Sequence, residues 1–346
     1  MSSRKRRRRL HRKVRRRIRR TAWAIVCIVL VIAIGVAAAV ILDRRFTQPV
    51  ENAGRQLTVY RNTGSSPQYY VDGQWIVEKD LDTLLVIGID DFGAVADSES
   101  YNNSNQADFM VLIARDRNTG KSSILHLNRD TMADIPVLGV TGKKAGTIKG
   151  QLALAYTYGS GRQDSCENTV EAASNLLYGV GIDHYITITM DAVPILNDWA
   201  GGVEVEVLDD FSGVDDTLVK GRTVTLMGDH ALNYVRTRKD LNDSSNVRRM
   251  ERQRQYASAW MDKAKALFED EEKVLELVMN LSDYHYSDCS AGDLAGYAEA
   301  FAHGSGGNIY QLQGRNVQGE KYMEYYIDET AVQKLVTDLF FEPVVR

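Results

Sequence analysis

The chain of 346 residues has no acidic residue before Asp43 and no charge of either sign between residues 22 and 42. It has three cysteines, Cys27, Cys166 and Cys289, and no CxxC or Cys/His spacing of the kind that builds a metal or redox centre. GxSxG, P-loop and HExxH patterns are missing, so serine, cysteine and zinc hydrolases are not leading readings. Internal repeats are missing too, and low complexity is confined to the N-terminus. With 44% hydrophobic and 25% charged residues, the composition is that of an ordinary globular protein. It excludes collagen, a disordered polar tail and a polytopic membrane protein. The length suits one large or two small domains.

What is present is unevenly distributed. Thirteen of the 42 Lys and Arg lie in residues 1–20, and all 46 acidic residues lie beyond them. The remainder carries 29 basic groups against 46 acidic ones, a formal −17, which argues against a duplex nucleic-acid binder. Residues 22–42 read AWAIVCIVLVIAIGVAAAVIL. At about 1.5 Å per residue this run is about 31 Å long, the thickness of a bilayer's hydrocarbon core. Arg4 to Arg20 flank it and suit the cytoplasmic side and anionic lipid, which places the rest outside the cell. Trp23 sits at an interfacial position. Ala37-Ala38-Ala39 resembles a signal-peptide cleavage site, but the apolar run continues to Leu42, beyond the about 7–15 residues of an h-region. The expected organisation is a cytoplasmic tail at 1–21, a transmembrane helix at 22–42, an extracytoplasmic linker with accessory strands at 43–80 and a catalytic domain at 81–346. Cys166 and Cys289 then lie where disulfides persist and are candidates to pair.

Three runs, Thr83–Ile89, Asp108–Ala114 and Ser123–Leu127, are continuously apolar and of strand length. Such runs are central strands covered on both faces. Short strands are predicted at Leu57–Tyr60, Gln68–Val71, His184–Met190, Val203–Val207 and Ile309–Leu312. Helices are predicted at Leu152–Tyr158, Cys166–Leu177 with Ser165 as N-cap, Ala192–Trp199, Gly228–Val235, Asn246–Leu267, Glu271–Leu281, Asp293–His303 and Glu329–Leu339. The expected fold is α/β, a central mixed sheet covered by helices in α-β-α layers.

Three clusters carry candidate chemistry. Asp90 and Asp91 follow the first central strand, where open α/β sheets bind ligands. An Asx turn explains the same pair. Phe92–Ala107 is rich in Ser, Asn and Gly and reads as a mobile loop. Asp108 opens the next strand; beside Asp90 it would supply two oxygen ligands for Mg²⁺. Arg129-Asp130 follows the third strand, either as a salt bridge or as a phosphate grip. Arg236 and Arg238 lie at a helix end, and Arg249, Arg252, Gln253 and Tyr256 share one helical face. Those arginines form a solvated surface, pair with internal carboxylates, or bind a polyanion. A pyrophosphate ester with Mg²⁺ suits arginines beside an acidic metal site. His126 and His184 sit within apolar runs and read as core.

The order of TLLVIGID (83–90), ADFMVLIARD (107–116), ILHLNRDT (124–131), ALAYTYG (153–159), GIDHYITITMDAVPILNDWAGGVEVEV (181–207), VRTR (235–238) and RMERQRQ (249–255) resembles the LytR-CpsA-Psr (LCP) family of cell-wall ligases. The resemblance implies a Mg²⁺-assisted phosphotransferase that moves a glycopolymer from a polyprenyl-pyrophosphate carrier to peptidoglycan. It implies Asp90 and Asp108 as metal ligands and Arg129, Arg236, Arg238, Arg249, Arg252 and Gln253 as pyrophosphate-binding groups. Asp130 would orient an arginine, and Asp90 or Asp91 would act as general base. A lipid groove lined from Leu152–Ala155 and Val193–Leu196 is also implied. Family members often carry arginines where this chain has Phe92 and Gln106, and a lysine where it has Gln151, so this site has fewer cations. A polyprenyl-pyrophosphate pyrophosphatase and a non-catalytic lipid-anion-binding regulator are the alternatives.

Overall fold

A computed structural model describes residues 58–60, 68–71, 73–98, 100–139, 141–237, 241, 246–267, 270–290, 292–293, 297 and 309–344. The predicted tail (1–21) and transmembrane helix (22–42) lie outside the described residues, as do Arg238 and most of the helix predicted at 293–303. The chain divides into two compact units. One contains Leu42–Thr189, Tyr286–Asp288 and Gly304–Arg346; the other contains Met190–His285 and Cys289–His303.

The first unit begins with strands β1 (Thr58–Tyr60), β2 (Gln68–Val71), β3 (Gln74–Glu78), β4 (Leu81–Ile89), β5 (Ala107–Asp116), β6 (Ser122–Leu127), β7 (Met132–Leu138) and β8 (Lys144–Gln151). Helices α1 (Leu154–Thr157) and α2 (Gln163–Leu176) and strand β9 (His184–Ile188) follow. β12 (His285–Ser287), β13 (Ile309–Gln311), β14 (Gly314–Gln318), β15 (Met323–Ile327), α7 (Glu329–Phe340) and β16 (Phe341–Pro343) come from the later chain. The central sheet is mixed, in the order β12-β9-β4-β5-β6-β13. β5 runs antiparallel to both β4 and β6, while β9 runs parallel to β4 and β13 parallel to β6. These are the three predicted central strands. Leu84 to Ile87 and Met110 to Leu112 are sealed from solvent, which explains runs with no polar alternation.

Residues 43–80 were expected to be a linker with accessory strands. The two accessory strands predicted there are present as β1 and β2, and with β3 they join β16, from the opposite end of the chain, in a four-stranded sheet. Lys79 Nζ donates to the carbonyls of Asp338 (2.8 Å) and Leu339 (2.9 Å), satisfying the last turn of α7. Val332, Val336, Leu339 and Phe340 of that helix enter the core around Leu85, Ile87 and Leu125.

Two expectations need correction. α2 starts at Gln163, before Ser165. Asp164 performs the local tie: its carboxylate accepts from the Ser160 N–H at 2.9 Å and the Ser165 N–H at 2.8 Å. Ser165 Oγ accepts from Gly161 N–H at 2.8 Å, inside the helix rather than at its cap. No disulfide joins Cys166 and Cys289. Cys166 is fully buried in α2, and burial pushes its thiol well above the ordinary value.

The second unit holds α3 (Ala192–Trp199), the antiparallel hairpin β10 (Val203–Glu206) and β11 (Thr223–Leu226), α4 (Asp229–Arg236), α5 (Asn246–Leu267) and α6 (Glu271–Leu281). The long helix α5 packs against β10 and α4. Its buried positions 249, 252, 256, 260 and 264 recur at helical spacing along one stripe. Trp260 Nε1 donates to Leu196 O at 2.7 Å and anchors α5 to α3.

Candidate active site

Register explains the carboxylate–arginine cluster of the first unit. β4 ends at Ile89 and β5 begins opposite it at Ala107, after a shift between Gly88 and Ile89. Asp90 and Asp108 therefore leave the same end of an antiparallel pair. Met110 pairs with Leu127 across β5 and β6. Continuing that register beyond the strand brings Arg129 opposite Asp108.

The guanidinium of Arg129 lies at the centre. Nη1 forms an ion pair with Asp108 Oδ1. Nη2 donates to Gln106 Oε1 at 2.6 Å, and Nε lies 3.3 Å from Asp130 Oδ1. Arg129 and Asp130 are both buried, so solvent screens these contacts little. Asp130 Oδ1 also accepts from Gln151 Nε2 at 3.1 Å. The Asp90 and Gln106 backbones meet through Asp90 N–H to Gln106 O at 3.0 Å. In return Gln106 N–H donates to Asp90 Oδ1 at 2.6 Å. Asp91 is engaged differently: its oxygens accept from Phe92 N–H at 2.8 Å and from Asn105 Nδ2 at 2.7 Å. The turn reading fits Asp91, which holds the loop.

That loop, 92–106, is pinned rather than mobile. Asn103 is buried, and its Nδ2 donates to Gly159 O at 2.7 Å and Tyr156 O at 2.9 Å. Thr157 Oγ1 donates to Asn105 O at 2.6 Å, and Arg162 Nη2 to Val95 O at 2.7 Å. Gly161, at φ +98°, lies so close that a Cβ there would sit 2.7 Å from Ala96 O. Composition marks such a segment as polar but cannot show where its polar groups find partners.

In the second unit the arginines of α5 are not a solvated basic face. Arg249, Arg252 and Arg254 are buried. Arg252 Nε donates to Tyr234 O at 2.8 Å, Nη1 pairs with Asp209 and Nη2 reaches Thr237 O. Its plane also covers the Phe211 ring at 5.4 Å. Burial pulls the Arg252 guanidinium below its ordinary pKa, and the ion pair with Asp209 opposes this. Arg248 Nε donates to the same Asp209 carboxylate at 2.7 Å. Arg249 Nη2 donates to Asn246 Oδ1 at 2.7 Å, and Gln253 Nε2 to Val235 O at 3.3 Å. Arg236 is exposed at the end of α4. Asp209 thus supplies counter-charge to Arg248 and Arg252, neutral acceptors hold Arg249 and Gln253, and Arg252 is committed to folding contacts.

Leu152, Ala153 and Ala155, expected along a lipid groove, are fully buried. Gln106 and Gln151 stood out in the sequence as places where cations were missing; the structure makes both part of the Arg129–Asp130 network. The available signal was adjacency: Gln106 precedes β5, and Gln151 pairs with Met132 at the foot of the β7–β8 hairpin.

The fold is a mixed α/β domain with an arginine held among carboxylates at one end of its central sheet. Residues 53–340 match the LytR_cpsA_psr family, and the chain belongs to it. It is 27% identical over 266 residues to the polyisoprenyl-teichoic acid–peptidoglycan teichoic acid transferase TagU of Oceanobacillus iheyensis, covering 76% of each chain. Among solved structures, gbs0355 from Streptococcus agalactiae has a TM-score of 0.59 at 20% identity, over 75% of this chain and 87% of that one. TagV of B. subtilis has a TM-score of 0.54 at 21% identity, over 76% of this chain and 96% of that one. These likenesses show the shared fold.

Proposed function

We propose that this chain is a membrane-anchored, extracytoplasmic phosphotransferase that moves a glycopolymer from a polyprenyl-pyrophosphate carrier to peptidoglycan. The observation that carries the reading is Arg129, a buried cation paired with Asp108 and Asp130 and linked to Asp90 through Gln106. The relative from Oceanobacillus iheyensis is named for a reaction of this kind. The run at 22–42, with its basic flank, supplies the anchor and the orientation.

The chemistry follows from charge. An acceptor sugar hydroxyl attacks the phosphorus that bears the glycopolymer. Its new O–P bond forms as the bond to polyprenyl phosphate breaks, and the leaving group takes the electron pair. Arg129 stabilises that developing negative charge. A preorganised donor of this kind is typically worth about 3–4 kcal/mol. The hydroxyl proton passes to a carboxylate. Asp90 suits this better than Asp91, because both Asp91 oxygens hold the turn while Asp90 Oδ2 has no partner among the described residues. Asp90 and Asp108 offer the hard oxygen donors that Mg²⁺ takes, and the ion would neutralise phosphate charge there. Asp108 would be a ligand of that ion, and Arg129 would face the phosphate. Arg236, Arg249 and Gln253, with Arg238 outside the described residues, are retained as candidate phosphate-binding groups on the family resemblance; Arg252 is not.

The test is incubation of the full chain with a polyprenyl-pyrophosphate-linked oligosaccharide, Mg²⁺ and peptidoglycan fragments. Oligosaccharide covalently attached to glycan supports the transferase. Hydrolysis without attachment indicates a pyrophosphatase. Bound but unaltered lipid indicates a non-catalytic regulator.

A further inference from the structure

We infer that Gln106 is a positioning residue that acts through Arg129. This rests on the transferase reading above. Gln106 touches both halves of the cluster at once. Its main-chain N–H holds Asp90 Oδ1 at 2.6 Å, and its side-chain carbonyl holds Arg129 Nη2 at 2.6 Å. The main-chain bond is fixed by strand pairing, since Asp90 N–H returns to Gln106 O at 3.0 Å. The side chain therefore extends from a rigid base. It orients the guanidinium relative to the Asp90 carboxylate, with half-buried Gln106 and buried Arg129 both shielded from bulk water.

The chemical type matters. Arg129 already faces two carboxylates, Asp108 and Asp130. Two carboxylates against one guanidinium already leave the group net negative, and a third anion at position 106 would add to the repulsion of phosphate. A second guanidinium could not accept the Nη2 hydrogen. An amide carbonyl accepts it without adding charge, so Arg129 is steered and its cationic character is kept.

The experiment uses the full chain in detergent, with inorganic pyrophosphate and Mg²⁺ as the calorimetric probe. Arg129→Ala, Gln106→Leu and the double variant are compared with wild type. Leu is close to Gln in size, lacks the acceptor and preserves the backbone N–H. Gln106→Ala serves as a second variant if Leu lowers the thermal midpoint. The expected result is an about 5–10-fold weaker affinity in Gln106→Leu, the loss of one directed hydrogen bond. The double variant should bind no worse than Arg129→Ala, because a residue acting through Arg129 has nothing left to act on. In the transfer assay kcat should fall for Gln106→Leu by a similar factor at an unchanged thermal midpoint. Gln106→Glu should bind pyrophosphate more weakly than Gln106→Leu, despite retaining an acceptor. Losses that add in the double variant, or wild-type binding by Gln106→Leu, would overturn the inference while Arg129→Ala still lost binding. Wild-type binding by Arg129→Ala would instead overturn the reading of the site itself.

Discussion

Arg252 and Asp209 form a buried ion pair 43 residues apart in sequence, and both side chains are nearly closed to solvent. The same guanidinium closes the end of α4 through the carbonyls of Tyr234 and Thr237. Removing Arg252 leaves Asp209 with Arg248 as its cation and leaves the Tyr234 and Thr237 carbonyls without this donor, a cost of about 3 kcal/mol, the low end for a broken buried pair. We expect Arg252→Ala to lower the chain's unfolding free energy by about that much in urea titrations. Pyrophosphate affinity, measured well below the transition, should stay close to wild type. A large loss of affinity in folded protein would return Arg252 to the ligand-binding set.

Arg129→Ala also breaks buried ion pairs and should cost stability, but its larger effect should be on transfer. It removes the cation proposed to face the reacting phosphorus and should lower transfer about 100–1000-fold, the range for loss of one preorganised donor. Far-ultraviolet circular dichroism should remain that of wild type. Residual transfer above a tenth of wild type would contradict the role.

Asp90→Asn and Asp108→Asn test the proposed metal ligands separately. Each exchanges a charged oxygen donor for a neutral one. The Mg²⁺ concentration for half-maximal pyrophosphate binding should rise about 10-fold or more in both variants. Chelation with EDTA should suppress transfer by wild type and restore it on Mg²⁺ addition. Unaltered Mg²⁺ dependence in both variants would refute the assignment.

Asn103→Ala tests the pinned loop. The buried amide satisfies carbonyls at Tyr156 and Gly159 that would otherwise be desolvated without partners. A cost of about 1–3 kcal/mol follows. Amide exchange should accelerate across 92–106 more than across β4 and β5. Uniform exchange rates would show that the loop is held elsewhere.

Asp215 gives a pH signature in the second unit. Burial raises its pKa, but hydrogen bonds from Thr217, His230 and Asn233 outweigh this and hold the carboxyl below its ordinary value. A depressed folded-state pKa contributes stability above the unfolded value, about 4, which is lost as pH falls through the folded value. Asp215→Asn should therefore be less stable than wild type at pH 7. The gap should shrink as pH drops below about 4. A gap independent of pH would mean the hydrogen bonds do not favour the charged form.

How legible this was depended on whether a signal was local. The runs that became β4, β5 and β6 were readable because strands covered on both faces admit few polar residues. α5 and α6 have the bounds their periodicity implied. β8 was missed because Lys144 to Lys149 is exposed and polar, so no apolar run announces it. β16 was missed because its partner, β3, lies at the other end of the chain. Gln106 and Gln151 registered as lost cations and emerged as hydrogen-bonding partners of Arg129 and Asp130.

The amino-acid order by itself determined the membership in the family, the basic flank and apolar run at the N-terminus, the strands of the central sheet and the set of candidate carboxylates and arginines. Tertiary structure decided what those charges do. Burial and strand register set Arg129 against Asp108, while helix packing turned Arg252 inward to Asp209. Both are guanidinium groups with the same intrinsic chemistry. Their difference comes from which acceptors the folded backbone brings within reach, and that depends on contacts between residues far apart in the chain.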